Sequence, residues 1–188
     1  MVASNENNKP AKARQVVNQG PKVNADFAER ERQFLERFPS DRACLDHLMG
    51  LRFGPESTCP KCERTARFHK IRQIPAYACQ WCGYHLHPMA QTRFARSRVG
   101  LQVWFHAVFL YSCGNNGITA RELQRLLGLT YKTAWRMRNT IIDVKFNLPR
   151  QDPKQGPHSF DTLLDALTAS RRPTKLTQPK RSRGSRAA

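Results

Sequence analysis

Two Cys-x-x-Cys pairs, Cys59-Pro60-Lys61-Cys62 and Cys79-Gln80-Trp81-Cys82, stand sixteen residues apart in this chain. That spacing suits a tetrahedral zinc ion, because each pair sets two thiolates on one tight turn and the intervening segment is long enough to return as a hairpin. Four sulfurs fill the coordination sphere, so the site expected is closed and structural, holding one Zn²⁺ with no position left for water or substrate. Gly83 follows the second pair and relieves a turn that needs positive φ, whereas Glu63 follows the first and makes that turn less favourable. A redox Cys-x-x-Cys needs only one pair in a βαβ setting, and disulfides suit a secreted chain. Neither a βαβ pattern nor a signal peptide is read here. His69, His85 and His87 are nearby, but four spaced cysteines leave them no ligand position. Cys44 and Cys113 are isolated and are expected on apolar helix faces.

The formal charge of +18 over 188 residues makes a polyanion the natural partner. The charge is uneven: residues 25–58 carry a net −2, while 59–88 carry +4, 89–144 carry +6 and 145–188 carry +7. Basic character therefore begins at the cysteines, and the segment before them is not expected to face a nucleic acid. No apolar run is long enough to span a membrane. A reducing, cytoplasmic location beside the nucleoid is the expectation, with no membrane partner.

Residues 1–24 lack apolar periodicity and read as a disordered arm. Residues 25–56 read as a helical lead. Phe27, Phe34, Leu35 and Phe38 form one stripe ending at Pro39, and Ala43, Cys44, Leu45, Leu48 and Met49 form a second, capped by Ser40 or Asp41 and ended by Gly50 and Gly54-Pro55. Residues 57–88 read as a three-stranded ribbon, with Ala66, Phe68 and Ile71, then Ile74 and Tyr77, then Tyr84 and Leu86 on the strands. Residues 89–144 begin with a basic connector, where Arg93, Arg96 and Arg98 surround Phe94. An apolar helix from Leu101 to Tyr111 follows, with His106 as a satisfied core or boundary histidine, and then the turn Gly114-Asn115-Asn116-Gly117.

Thr119 and Glu122 stand in capping-box register before a short helix ending at Gly128, and a second helix begins after a three-residue turn. This is a helix-turn-helix pattern, with Leu123, Leu127, Leu129, Ala134, Met137 and Ile141 inward. The outward set is Thr130, Tyr131, Lys132, Trp135, Arg136 and Asn139, residue types suited to base edges and phosphates of double-stranded DNA. Arg138 is expected as a further phosphate contact. Residues 145–188 read as a Pro-containing linker (149–157), a short helix over Ser159–Ala169 and a basic disordered tail that clings to phosphate by charge. The fold class expected is α+β, mostly α: a three-stranded Cys₄ ribbon flanked by short helices, then a helix-turn-helix, with disordered basic tails.

The stretches RFPSDRACLDHLMGLRFG, CPKC…YACQWC, TRFARSRVGLQVWF and GITARELQRLLGLTYKTAWRMRNTI, in that order over roughly residues 34–142, resemble the N-terminal region of zinc-ribbon insertion-sequence transposases of the DDE type. The resemblance implies recognition of the terminal inverted repeats of a mobile element, with an RNase H-like domain elsewhere cutting and joining DNA through acidic residues and Mg²⁺. Gln91 and Gly100 depart from the glycine and proline usual at those connector positions. After Ile142 the acids are Asp143, Asp152, Asp161 and Asp165, with no strand pattern to gather them. The expectation is a chain that binds DNA and cuts nothing, beside a separate catalytic transposase subunit. Such proteins commonly form homodimers, although no heptad pattern specifies one here. The alternatives are a transposase-derived regulator reading promoters, and a protein-docking ribbon with nonspecific nucleic-acid binding.

Overall fold

The computed structural model describes residues 25–114, 117–149 and 158–169. The expected arm at 1–24, most of the linker after Pro149 and the basic tail from 171 lie outside the described residues. Helix α1 (Ala25–Arg37) turns Phe27 and Phe34 inward, whereas Leu35 is 41% exposed and off the stripe. Pro39, which lacks an N–H and disfavours helical backbone before it, separates α1 from α2 (Asp41–Phe53). Ser40 caps α2, its hydroxyl accepting from the Ala43 N–H at 3.3 Å. The helix runs through Gly50 and stops at Gly54, whose φ of 69° with ψ of −172° lies in a region open essentially to glycine. An interior glycine costs about 1 kcal/mol, and burial of Leu48 and Met49 beside it outweighs that.

The ribbon holds five short strands. β1 (Ser57–Thr58) pairs with β2 (Thr65–Ala66), and β3 (Phe68–Lys70), β4 (Tyr77–Cys79) and β5 (His85–Leu86) form an antiparallel sheet in that order. Of the residues read onto three strands, Phe68, Tyr77 and Leu86 lie on the second sheet, whereas Ala66 lies on β2 of the first, Ile71 and Tyr84 flank strands, and Ile74 falls in the turn that Ile71 and Ala76 close. The β1–β2 ladder has no alternating signal because two-residue strands show no periodicity. Tyr77 and Leu86 join the helical core. Asp46 of α2 accepts hydrogen bonds from the Tyr77 hydroxyl and Lys70, and Arg42 donates to the Ile71 carbonyl at 2.6 Å.

Helix α3 (Leu101–Cys113) is the axis of that core, with α4 (Ala120–Leu127), α5 (Tyr131–Asn147) and α6 (Phe160–Thr168) following. Phe34 stacks on Phe109 with ring centroids 4.7 Å apart, and His106 meets Glu31 at 2.8 Å, the boundary role expected for it. The sequence suggests that order fades after Asp143; instead α5 continues to Asn147 with Val144 buried, and α6 packs on α2, α3 and α5. Leu163, Leu164 and Leu167 are almost wholly enclosed. A nine-residue helix is marginal alone, so its weight is visible only in the presence of the surfaces it covers. A single hydrophobic cluster thus runs from Phe34 to Leu167, crossing the boundaries drawn at residues 56 and 144. No helix among the described residues is long and apolar enough to cross a membrane.

Replacing Leu164 by alanine is expected to cost about 2–5 kcal/mol in chemical denaturation, and the exposed Leu126→Ala less than about 0.5 kcal/mol. A pH dependence follows from His47, which lies edge-on to Phe38 and has no partner for Nε2 among the described residues. Burial first, then the Arg37 charge, pushes its pKa below the usual 6.5 against the weaker pull of Asp161 and Asp165. As pH falls below 6.5 the unfolded chain takes up this proton and the folded one does not, so the stability present above 6.5 is lost. Denaturation of the wild type and of His47→Phe at several pH values should show a shallower acid slope in the variant.

Candidate metal centre and nucleic-acid interface

The two cysteine pairs sit on matching turns. The Glu63 N–H bonds to the Cys59 carbonyl at 2.9 Å and the Gly83 N–H to the Cys79 carbonyl at 3.0 Å. The Cys59 N–H reaches the Arg64 carbonyl at 3.0 Å, and the Cys79 N–H that of Tyr84 at 2.9 Å. Glu63 and Gly83 both have left-handed backbones, φ 58° and 67°, so the first turn carries the strain that its lack of glycine implies. The sulfurs of Cys59 and Cys82 are 3.6 Å apart, those of Cys62 and Cys79 3.9 Å, and all four lie within 4.8 Å of one another. Zinc–sulfur bonds of about 2.3 Å give a tetrahedron with edges of about 3.8 Å. The four cysteines therefore fit a zinc ion. None of His69, His85 and His87 belongs to the group, and all three are exposed.

Desolvation pushes the Cys59 thiol up, but the N–H groups of Cys62 and Lys61 and the neighbouring sulfurs together pull it down to about 6. At Cys82 the Tyr84 N–H pulls down, yet desolvation and the other three thiols push the group up to about 11. Metal entry must displace protons still held in the cluster. The ribbon's own core is Cys59, Ala66 and Cys79 with Cys62, Phe68 and Cys82 against them, too little apolar surface to hold a fold without a cross-link.

Helices α4 and α5 form the second constellation. Thr119 accepts from the Glu122 N–H at 3.2 Å while Glu122 accepts from the Thr119 N–H at 2.8 Å, the reciprocal cap read from the sequence. Gly128 is left-handed at φ 63°, and both its N–H and that of Leu129 converge on the Gln124 carbonyl. Leu123, Ala134, Met137 and Ile141 are buried; Leu127 and Leu129 are half-buried. Tyr131, Lys132, Trp135 and Arg136 lie exposed along one side of α5, and Asn139 is half-buried. Thr130 also serves as N-cap, accepting from the Thr133 N–H. Arg138 spends its Nε on the Ile118 carbonyl at 2.7 Å and is half-buried, so part of its donor set anchors α5 to the segment before α4.

In the connector Phe94 and Thr92 are buried, Arg93 is half-buried with its N–H on the Leu167 carbonyl, and Arg96 and Arg98 are exposed. Gln91 and Arg96 have φ of 62° and 59°, which accounts physically for glycine suiting the first position. Gly100 lies against Asp41: a Cβ there would sit 3.0 Å from its carboxylate oxygens, and Asp41 Oδ1 accepts from the Gln102 N–H at 2.7 Å. This cap of α3 by α2 joins residues far apart in the chain and has no local signal.

Residues 39–85 match the transposase zinc-ribbon domain, a span that takes in α2 and all four cysteines. The chain is 29% identical over 152 residues to an uncharacterized protein in transposable element ISH50 of Halobacterium salinarum, a match covering 80% of this chain and 50% of that protein. The chain thus spans about half the length of this relative. No solved structure matches.

Exchange of Cys59 or Cys82 for serine is expected to lower zinc bound by the purified chain well below one per molecule. It should also broaden the amide spectrum of the ribbon while leaving the far-ultraviolet helical signal largely intact. Full zinc retention after both exchanges would reject the site.

Proposed function

We propose that this chain, which carries a transposase zinc-ribbon domain, is the DNA-recognition part of an insertion-sequence transposition machinery. In this reading one structural Zn²⁺, held by Cys59, Cys62, Cys79 and Cys82, keeps the ribbon folded. The α4–turn–α5 unit acts as a helix-turn-helix that enters the major groove of double-stranded DNA at the element's terminal inverted repeats. Lys132 and Arg136 donate to guanine, Asn139 reads adenine, Tyr131 bonds to phosphate, and Trp135 makes apolar contact in the groove. Thr130, Arg138 and the connector residues Arg93, Arg96 and Arg98 bond to phosphate. The site lies on the nucleoid, strand cleavage falls to carboxylates supplied by a separate catalytic subunit, and paired ends would engage two copies of the chain.

The observation that carries the reading is the outward side of α5. Lys132, Trp135 and Arg136 point to solvent after a tight left-handed turn and make no side-chain hydrogen bond or ion pair among the described residues. Exposed cations and aromatics side by side on a helix whose opposite face is buried suit a groove-facing surface. A family match at the ribbon and a relative within a transposable element support the biological setting.

Selection of bound fragments by the zinc-loaded protein at near-physiological salt tests it. Recovery of inverted repeats flanking its own gene is expected, with Arg136→Ala losing about 1–3 kcal/mol on that site and relaxing preference at one base. Unaltered base preference in that variant would place recognition elsewhere. Recovery of unrelated promoter sequences would make the protein a regulator, and binding without any motif that vanishes with added salt would remove the helix-turn-helix reading.

A further inference from the structure

We infer that the metal-binding end of the ribbon is a stacking platform for the unpaired bases of a single-stranded nucleic acid, a contact separate from the proposed duplex face of α5. Trp81 carries the inference. Its indole Nε1 donates to the Thr65 carbonyl at 3.2 Å, which orients the ring against β2, and yet the residue remains 58% exposed. Trp104, whose Nε1 bonds to the Ser97 hydroxyl, shows the packing use of the same side chain and is only 7% exposed. An indole that is held by its polar edge while its apolar surface stays in water offers a preset surface for another flat group.

The surroundings select the partner. The Gln80 N–H bonds to the Arg67 carbonyl at 3.2 Å, so the turn bearing Trp81 lies along the Arg64–Arg67 segment. Arg64 and Lys61 are exposed and form no ion pair among the described residues, while Arg67 pairs with Glu56 at 3.6 Å. Tyr84, 38% exposed, follows Gly83 on the same turn. Glu63 is the sole acidic residue between Cys59 and Pro88. Cations on the same turns and adjoining segment disfavour a cationic partner. A polyanion without rings would engage the cations and leave the indole wet, and an intact duplex keeps its base faces stacked inside. A single strand supplies phosphate and free base faces together, and stacking of this kind tolerates any sequence. The contact does not depend on the α5 reading.

The test uses the zinc-loaded full chain with three probes: a labelled oligo-thymidine strand of about twenty nucleotides, a blunt duplex of the same length, and heparin. Trp81→Ala is expected to weaken strand binding about tenfold while duplex and heparin affinities move less than about twofold. Trp81→Phe, which keeps a ring, should recover most of the loss, and Arg136→Ala should weaken the duplex while sparing the strand. Unchanged strand affinity in Trp81→Ala, or equal losses on all three probes, would overturn the inference. So would a loss that tracks zinc content and is not restored by phenylalanine.

Discussion

Helix α3 has no exposed residue, and the other helices are arranged to cover it. A helix apolar over most of its circumference has no stable place at a surface. α1, α2, α5 and α6 each bring an apolar stripe to it, and Phe34, Phe38, Phe105, Phe109 and Phe160 interlock where they meet. The few polar groups on α3 are satisfied locally. Gln102 donates to the Phe38 carbonyl at 2.9 Å and His106 meets Glu31, so α1 and the residue following it supply the partners that burial would otherwise deny. The acidic lead before the cysteines is thereby committed to the core.

The ribbon depends on that core in turn. Four sulfurs and a few small side chains hold its metal-binding end together, and Tyr77 and Leu86 tie its sheet to the helices. The Tyr77 hydroxyl is pushed well above its usual pKa by burial and by Asp46, so it remains a proton donor to that carboxylate. Arg42 and Arg52 add bonds from α2 to the Ile71 and Ala90 carbonyls. These part-buried and exposed charge-assisted contacts fix orientation more than they add stability. Their consequence is that the ribbon and the helices present their basic surfaces in one fixed relation.

On the proposed reading, the surfaces offered to nucleic acid differ in kind. Along α5, exposed cations and aromatics project from a rigid helix whose register is set by Gly128 and by Arg138 on Ile118. At the ribbon, a tryptophan is set on a turn that the cysteines define. On α5 the helix backbone sets the direction of the exposed side chains, whereas at the ribbon one bond to backbone holds the indole and leaves its face free.

Local chemistry was legible in the sequence because it acts over a few residues. The Cys-x-x-Cys spacing, the reciprocal cap of Thr119 and Glu122, the helix end at Gly128 and the apolar run of α3 all appear in the structure as read. The strained Glu63 turn was visible for the same reason. Other features depend on residues far apart in the chain. Asp41 caps α3 across some sixty residues, α6 is a core element only because α2, α3 and α5 offer it a surface, and Trp81 acquires its orientation from the Thr65 carbonyl on β2. The sequence by itself determined the grouping of four cysteines, the helix ends at Gly54 and Gly128, and the basic balance. Only the tertiary structure decided which arginines are spent on carbonyls and which aromatics stay exposed, since burial and hydrogen-bond satisfaction are properties of surfaces brought together by folding.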